Sequence, residues 1–474
     1  MNGVHTRCGL WLLVFSIACG PRGGDAGGRT ETASSHASLE AMGVPCRDRL
    51  EDVTRPLGGR APGRGGLVAC VPEVVYGRDE ATRRAIRSGY SGPPLERSIV
   101  SYRIAYGTER LDGQPGVSTA RVYLPHSLPE GRVPIAVVAH GTMGLADACA
   151  PSRQDGVPIE MMALPLVDAG FAVIATDYAG LGNGGGETFQ GWGVARDEAH
   201  SVLDAARALE ALLPSGRRGP IALVGYSQGG GAVLAAQALA RTYGAGLEIV
   251  AVVAEAPAWL DASFYARMIA NPSLLVRGPK ELLHAFVSTW FFAHAAVYDG
   301  VDRATGPFAP AVREGVREAM SERCILTLGN RLGAHARTIG DLYDPSFVAS
   351  LDRCLDGDRC DDVGRAWRAR IDADRLSFDS HGPPVLLLQG LRDGIITPAA
   401  TRCTLQGLER DGVRVRICTD AEADHLELPG RSATFVSEYL RARLDGAHEP
   451  ACTASLPACE SDEQRLHELT APPR

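Results

Sequence analysis

Lysine is nearly absent from this chain, and its cations are arginines scattered along the sequence without a basic stripe or polybasic run. The shortage of lysine reports codon bias more than chemistry. With a net charge of −8 and no basic footprint, the chain gives no support to nucleic-acid binding, and no nucleic-acid partner is expected. The N-terminal apolar stretch Leu10 to Ala18 is too short to span a bilayer. No two cysteines stand in C-x-x-C spacing, and the histidines do not cluster with the cysteines, so neither a zinc site nor any other metal or cofactor is expected. Residues 20–97 show no internal repeat, which excludes a propeller there.

What remains is a chain of 474 residues, 45% of them apolar, long enough to bury a large core as one domain with an insertion. His5 and Arg7 precede the Leu10–Ala18 stretch, which has the length of a signal-peptide core. It ends in Ser16-Ile17-Ala18-Cys19-Gly20, a run resembling a bacterial lipobox with Cys19 as the lipidated residue; ordinary cleavage nearby is the alternative. Residues 1–19 are therefore expected to be a signal peptide, 20–38 a flexible tether rich in glycine, serine and threonine, and 39–97 an N-terminal extension without an assigned role. A protein carrying these signals belongs in the bacterial cell envelope, held by lipid on Cys19, or is secreted. Setting aside Cys8 and Cys19 leaves ten cysteines, enough for five disulfides in an oxidising compartment. Connectivity is open; Cys403 with Cys418 would tie a helix to a strand, and Cys452 with Cys459 could close a small loop in the tail.

From Ser98 onward strand-like and helix-like segments alternate. Arg103–Tyr106 and Ser118–Tyr123 read as an early pair of strands around the turn-rich Asp112–Gly116. Val133–Ala139, Phe171–Thr176, Ile221–Val224 and Ile249–Ala254 are continuous apolar runs, and Glu198–Leu213 is an amphipathic helix with Val202, Ala205, Leu209 and Leu212 on one stripe. Uninterrupted apolar strands separated by helices imply a mostly parallel sheet with helices on both faces, an α/β class. The pattern breaks after residue 259 and resumes with Pro384–Leu388. Residues 98–259 and 380–444 are thus expected to form the core, 260–379 an inserted helical cap, and 445–474 a surface tail. The insertion holds Phe286, Trp290, Phe291, Phe292 and Tyr298, expected to build the cap's own core and in part to line an apolar pocket.

The chemistry lies in Gly225-Tyr226-Ser227-Gln228-Gly229, directly after one apolar strand and before the helix-like Ala232–Arg241. G-x-S-x-G between strand and helix is a nucleophile elbow: the serine sits exposed on a tight turn, and the helix N-terminus directs partial positive charge at a developing oxyanion. Asp393 follows the next buried strand in Gly390-Leu391-Arg392-Asp393-Gly394, and His425 follows the strand-like Val413–Cys418 in Ala423-Asp424-His425. Serine, acid, histidine is the order this arrangement requires, with His425 as general base and Asp393 orienting it. Asp424 is the rival acid, disfavoured because sequence neighbours rarely aim their side chains at each other. The oxyanion hole is expected from the backbone N–H groups of Gln228 and of Thr142, in His140-Gly141-Thr142 after the strand Val133–Ala139; His140 itself reads as structural.

These residues together resemble the secretory lipases, the fungal lipase A type of α/β-hydrolase and its bacterial relatives. The resemblance rests on His140-Gly141-Thr142, Cys149-Ala150-Pro151-Ser152, Thr176-Asp177-Tyr178-Ala179-Gly180-Leu181-Gly182 and Gly225–Ala232, covers about 98–425, and is densest over 133–254. It implies the α/β-hydrolase fold, an inserted helical cap, hydrolysis of carboxylic esters including lipid esters, and pairing of Cys149 with a cap cysteine such as Cys324. Glu255-Ala256-Pro257-Ala258-Trp259 departs from the small, glycine-rich run such a protein would carry. A serine peptidase or an acyltransferase on the same fold is the alternative enzyme, and a noncatalytic binding lipoprotein the alternative of another class.

Overall fold

The computed structural model describes residues 46–54, 62–155, 158–259, 263–272, 274, 276, 281–355 and 359–460. The expected signal peptide, Cys19 lipobox and tether lie outside these residues, as does the end of the tail from 461.

Nine strands form one sheet: β1 Leu67–Tyr76, β2 Ile99–Glu109, β3 Pro115–Pro125, β4 Val133–Ala139, β5 Ala172–Ala179, β6 Arg218–Tyr226, β7 Ile249–Glu255, β8 Val385–Gly390 and β9 Val415–Asp420. Their order across the sheet is β1-β2-β3-β5-β4-β6-β7-β8-β9. The first three strands and the β3–β5 contact are antiparallel, and from β5 to β9 all neighbours are parallel. Fourteen helices accompany them among the described residues: α1 Leu50–Thr54, α2 Arg78–Arg87, α3 Glu160–Asp168, α4 Ala195–Leu212, α5 Gln228–Leu239, α6 Ser263–Ile269, α7 Glu281–Asp299, α8 Arg313–Glu322, α9 Ile325–His335, α10 Ile339–Leu342, α11 Pro345–Leu355, α12 Asp362–Asp374, α13 Pro398–Arg410 and α14 Leu428–Asp445.

The central strands are apolar on both faces because both faces are covered. Along β4, Val133, Ile135, Val137 and Ala139 pack into a core shared with α4 and α5, while Ala136 and Val138 pack into the opposite core with α3 and α14. This is the helix-on-both-faces, mostly parallel α/β-hydrolase sheet. Between β7 and β8 the chain leaves the sheet to build α6–α12, which share a third core. Its centre is α7, apolar nearly all round, where Phe291 packs edge-on against Tyr343 and Phe347. Among the described residues no helix is long and apolar enough to cross a membrane.

All ten described cysteines form five disulfides. Cys149–Cys324 joins the region after β4 to the start of α9. The pairings expected for four others are corrected: the bonds are Cys403–Cys459 and Cys418–Cys452. The reason is the path of residues 446–460, which fold back along β9 instead of closing on themselves. Thr419 N–H donates to Thr453 O at 2.8 Å, and Arg416 reaches Glu449 and the Pro450 carbonyl. The opposite edge is built alike. Cys46–Cys70 ties the segment before α1 to β1, and the Asp48 N–H donates to Cys70 O at 3.1 Å. Residues 67–87, read from sequence only as part of an extension, contribute β1 and α2.

Candidate active site

Ser227 links β6 to α5 at φ 56°, ψ −116°, a left-handed conformation that a non-glycine residue holds only when its surroundings impose it. Its N–H donates to Glu255 O at 2.9 Å, and its own carbonyl accepts from Gly231 N and Ala258 N, so backbone on three sides fixes the turn. The flanking glycines follow from crowding. A Cβ on Gly225 would stand 2.1 Å from Gly229 O, and one on Gly229 would stand 1.9 Å from Ala139 O.

Asp393 and His425 lie in the loops after β8 and β9, so all three side chains gather at the C-terminal ends of parallel strands, where the loops of such sheets converge. His425 Nε2 is 3.0 Å from Ser227 Oγ, and its Nδ1 is 2.7 Å from Asp393 Oδ2. Asp393 Oδ1 accepts from the N–H groups of Ile395 and Ile396 at 2.8 and 2.9 Å, which fixes the carboxylate beside the imidazole. The rival Asp424 is exposed and accepts from Leu426 N and Glu427 N in its own turn, facing away from the ring. Tyr226 secures the histidine from below: its hydroxyl donates to the His425 carbonyl at 2.8 Å, and the two rings lie 4.9 Å apart. Nothing in the sequence pattern singles out Tyr226, whose contact spans 199 residues.

The loop after β4 runs against the elbow. A Cβ on Gly141 would lie 3.1 Å from the Tyr226 ring and 3.4 Å from Ser227 Cβ. Thr142 is anchored by Trp192, whose Nε1–H donates to Thr142 Oγ1 at 3.0 Å. Gln228 is the first residue of α5, so its N–H belongs to the first turn that a helix leaves without an acceptor of its own. His140 is packed edge-on to Tyr178, its Nδ1 2.6 Å from Gly141 O, and burial pulls its imidazole down to about 4. It stays neutral and has no reach to the serine hydroxyl among its bonds.

Two carboxyls sit beside the elbow without a cationic partner in their hydrogen bonds. Glu198, from the first turn of α4, accepts at Oε1 from Gln228 Nε2 at 2.8 Å and from Gly193 N at 2.9 Å. Glu255, at the end of β7, accepts from Ser432 Oγ at 2.8 Å. Burial pushes each up to about 8. Sequence reasoning assigns Glu198 nothing beyond the start of a helix. A cavity of about 350 Å³ borders the same place, walled by Trp192, Glu198, Gln228, Trp259, Tyr265 and Trp290. Of the five cap aromatics singled out in the sequence, Trp290 lines it; Phe291 and Phe292 are spent inside the helical layer, Phe286 stacks toward Trp192, and Tyr298 lies under the Arg370 guanidinium.

The family model described as "Secretory lipase" matches residues 155–263, a stretch that holds the elbow but neither Asp393 nor His425. A protein of Mycobacterium tuberculosis (strain CDC 1551 / Oshkosh) named a probable inactive lipase is 23% identical over 369 residues, 74% of this chain and 75% of the relative. Among solved structures, the rice cell wall degrading esterase LipA from Xanthomonas oryzae, in a ligand-bound form, superposes with TM-score 0.62 at 16% identity, covering 81% of this chain and all of that one. Candida antarctica lipase A in its closed state gives TM-score 0.61 at 14% identity, covering 87% and 90%. At such identities the likeness is one of fold. In sequence across its elbow region this chain is similar to the secretory lipases, and it carries the α/β-hydrolase fold.

Proposed function

We propose that the protein is a serine carboxylic ester hydrolase, lipase- or esterase-like, working through an acyl-enzyme on Ser227. One observation carries the reading: the hydrogen-bonded line Ser227 Oγ, His425 Nε2, His425 Nδ1, Asp393 Oδ2, at 3.0 and 2.7 Å. His425 Nε2 takes the Ser227 proton as Oγ bonds to the ester carbonyl carbon. The resulting oxyanion is met by the N–H groups of Gln228 and Thr142. Collapse breaks the bond to the alkoxide, which leaves with the proton from His425; water then attacks the acyl-enzyme, with His425 again taking and returning the proton. Asp393 keeps Nδ1 protonated and Nε2 free to act as base. The cavity beside Gln228 offers Trp192, Trp259, Trp290 and Phe378 for the apolar part of such a substrate, with Asp374, Arg375 and Arg410 also on its wall. The five disulfides and the match to the secretory lipases support a place outside the cytoplasm; lipid attachment at Cys19 is part of the proposal.

The Mycobacterium tuberculosis relative, by its name, favours a second reading: a fold kept for binding after activity was lost. Hydrolysis of p-nitrophenyl esters from acetate to palmitate by protein lacking residues 1–19, beside its Ser227→Ala variant, separates the two. Turnover that vanishes with the serine supports the hydrolase, and its chain-length optimum tells lipase from esterase. A wild-type rate equal to that of Ser227→Ala would sink it.

A further inference from the structure

We infer that Glu198 is a positioning residue for the oxyanion site, acting through the Gln228 side chain as an uncharged carboxylic acid. The inference rests on the reading of Ser227 as nucleophile and concerns what holds the residue after it.

Glu198, carried by α4, joins two further segments at one atom, Oε1: the loop before α4 through Gly193 N–H and the first residue of α5 through Gln228 Nε2. The Gln228 amide has this as its anchor, because its Oε1 is buried with no hydrogen-bond partner. Both donors converge on a single oxygen, Oε1. A neutral acid offers its carbonyl oxygen for two such bonds and keeps the hydroxyl on the other oxygen.

The surroundings decide the charge. Asp197, on the same helix, is paired with Arg110 at 2.8 Å. Asp374, from the end of α12, accepts the Ala195 N–H at 3.0 Å and meets His294 Nε2, from α7, at 2.7 Å. The positive pole of α4 is thus already occupied by one carboxyl. Tyr178 faces Glu198 from β5, and Arg375, which follows α12, borders the same cavity. Glu198's own partners are neutral amides. An anion there would stand behind the N–H groups that are to receive the oxyanion, opposing the charge that develops in the transition state. Burial is the largest cause and raises the carboxyl; the Gly193 and Gln228 N–H bonds pull it back toward the anion, Asp374 and Asp197 push it up again, and the balance stands at about 8, so the acid form prevails at neutral pH.

The test compares wild type, Glu198→Gln and Glu198→Ala in pH–rate profiles with kcat and KM separated. The glutamine carbonyl can accept both N–H bonds at every pH; alanine leaves both donors buried without an acceptor. Glu198→Ala should lose kcat by about 10²-fold with KM little moved, the scale seen when an oxyanion donor is disturbed. Glu198→Gln should restore most of that loss and keep its rate as pH rises through about 8, where wild type declines. Should Glu198→Ala fail to fold, thermal melts of the other two proteins serve. A carboxyl whose folded pKa lies above its unfolded value destabilises the fold progressively between the two, so wild-type Tm should fall relative to Glu198→Gln from about pH 5 to 8 and not beyond. An active wild type with Glu198→Gln as impaired as Glu198→Ala, or a Tm difference flat across that window, overturns the inference alone. A wild type without esterase activity overturns the nucleophile reading and the inference with it.

Discussion

The parallel half of the sheet and the helical layer of α6–α12 are built on different principles. In β4–β8 small and β-branched side chains pack two cores at once, and the residues of the candidate site are held by backbone: Ser227 by Glu255, Gly231 and Ala258, and Asp393 by Ile395 and Ile396. The helical layer is held by large rings, Trp290, Phe291, Tyr343, Phe347 and Trp367, meeting edge to face. It meets the sheet region through the Cys149–Cys324 bond, Ile325 N–H on Met143 O, Asp374 on Ala195 N–H, Phe286 stacked on Trp192, and Leu145, Phe189 and Trp192 packed into its own core. Geometry fixed by backbone tolerates little change, whereas a ring-packed layer can be re-cut at its inner wall. On the proposed reading this is a division of labour in which the sheet sets whether chemistry occurs and the layer sets what reaches it.

That division can be attacked at several depths. Asp393→Asn should cost about 10⁴-fold in kcat with the fold intact, since the imidazole would be held in the wrong tautomer; a variant near the wild-type rate would remove Asp393 from the site. Trp290→Ala, in the layer, should cost about 3–5 kcal/mol of stability by chemical denaturation. It should also move the acyl-chain optimum, because Trp290 lines the cavity. If it abolished kcat as fully as Asp393→Asn while still folded, the division would be false. Replacing both Cys149 and Cys324 by alanine opens a link across 175 residues and should cost about 2–4 kcal/mol, read as a lower Tm with the serine still reactive. The mildest probe is Glu255→Gln. Burial holds this carboxyl near 8, so wild-type stability falls from the unfolded carboxylate pKa up to that value, and the variant should gain a few degrees of Tm at pH 8 over its difference at pH 5. A constant difference would mean that Glu255 titrates normally.

How far the sequence could be read follows the same boundary. The elbow was legible because strand, turn and helix are contiguous, Asp393 because it follows the apolar strand β8, and His425 because it follows the alternating strand-like run Val413–Cys418. The strand Val133–Ala139 matches β4 residue for residue. By contrast α4 begins at Ala195, earlier than its apolar stripe suggests, because Asp374 from a distant helix caps it. Strand β1 carries Pro72 and Glu73 and half-exposed Val74, a pattern tolerable at a sheet edge and indistinct from a loop when met alone. The pairs Cys403–Cys459 and Cys418–Cys452 escaped because they depend on where the tail returns, Tyr226 because its partner lies 199 residues on, and Glu198 because its carboxyl meets Gln228 only once α4 packs against α5.

The two disulfide-anchored margins of the sheet bear on the redox conditions under which the protein stays soluble. A long sheet ends in rows of unsatisfied backbone groups that invite another chain to add itself as a further strand. Here β1 is shielded by the segment at Cys46 and β9 by the residues around Cys452 and Thr453, each riveted to the strand it covers. Resistance to aggregation is therefore tied to oxidation: chain made under reducing conditions would present both margins bare, and soluble protein should be recovered only where the bonds can form.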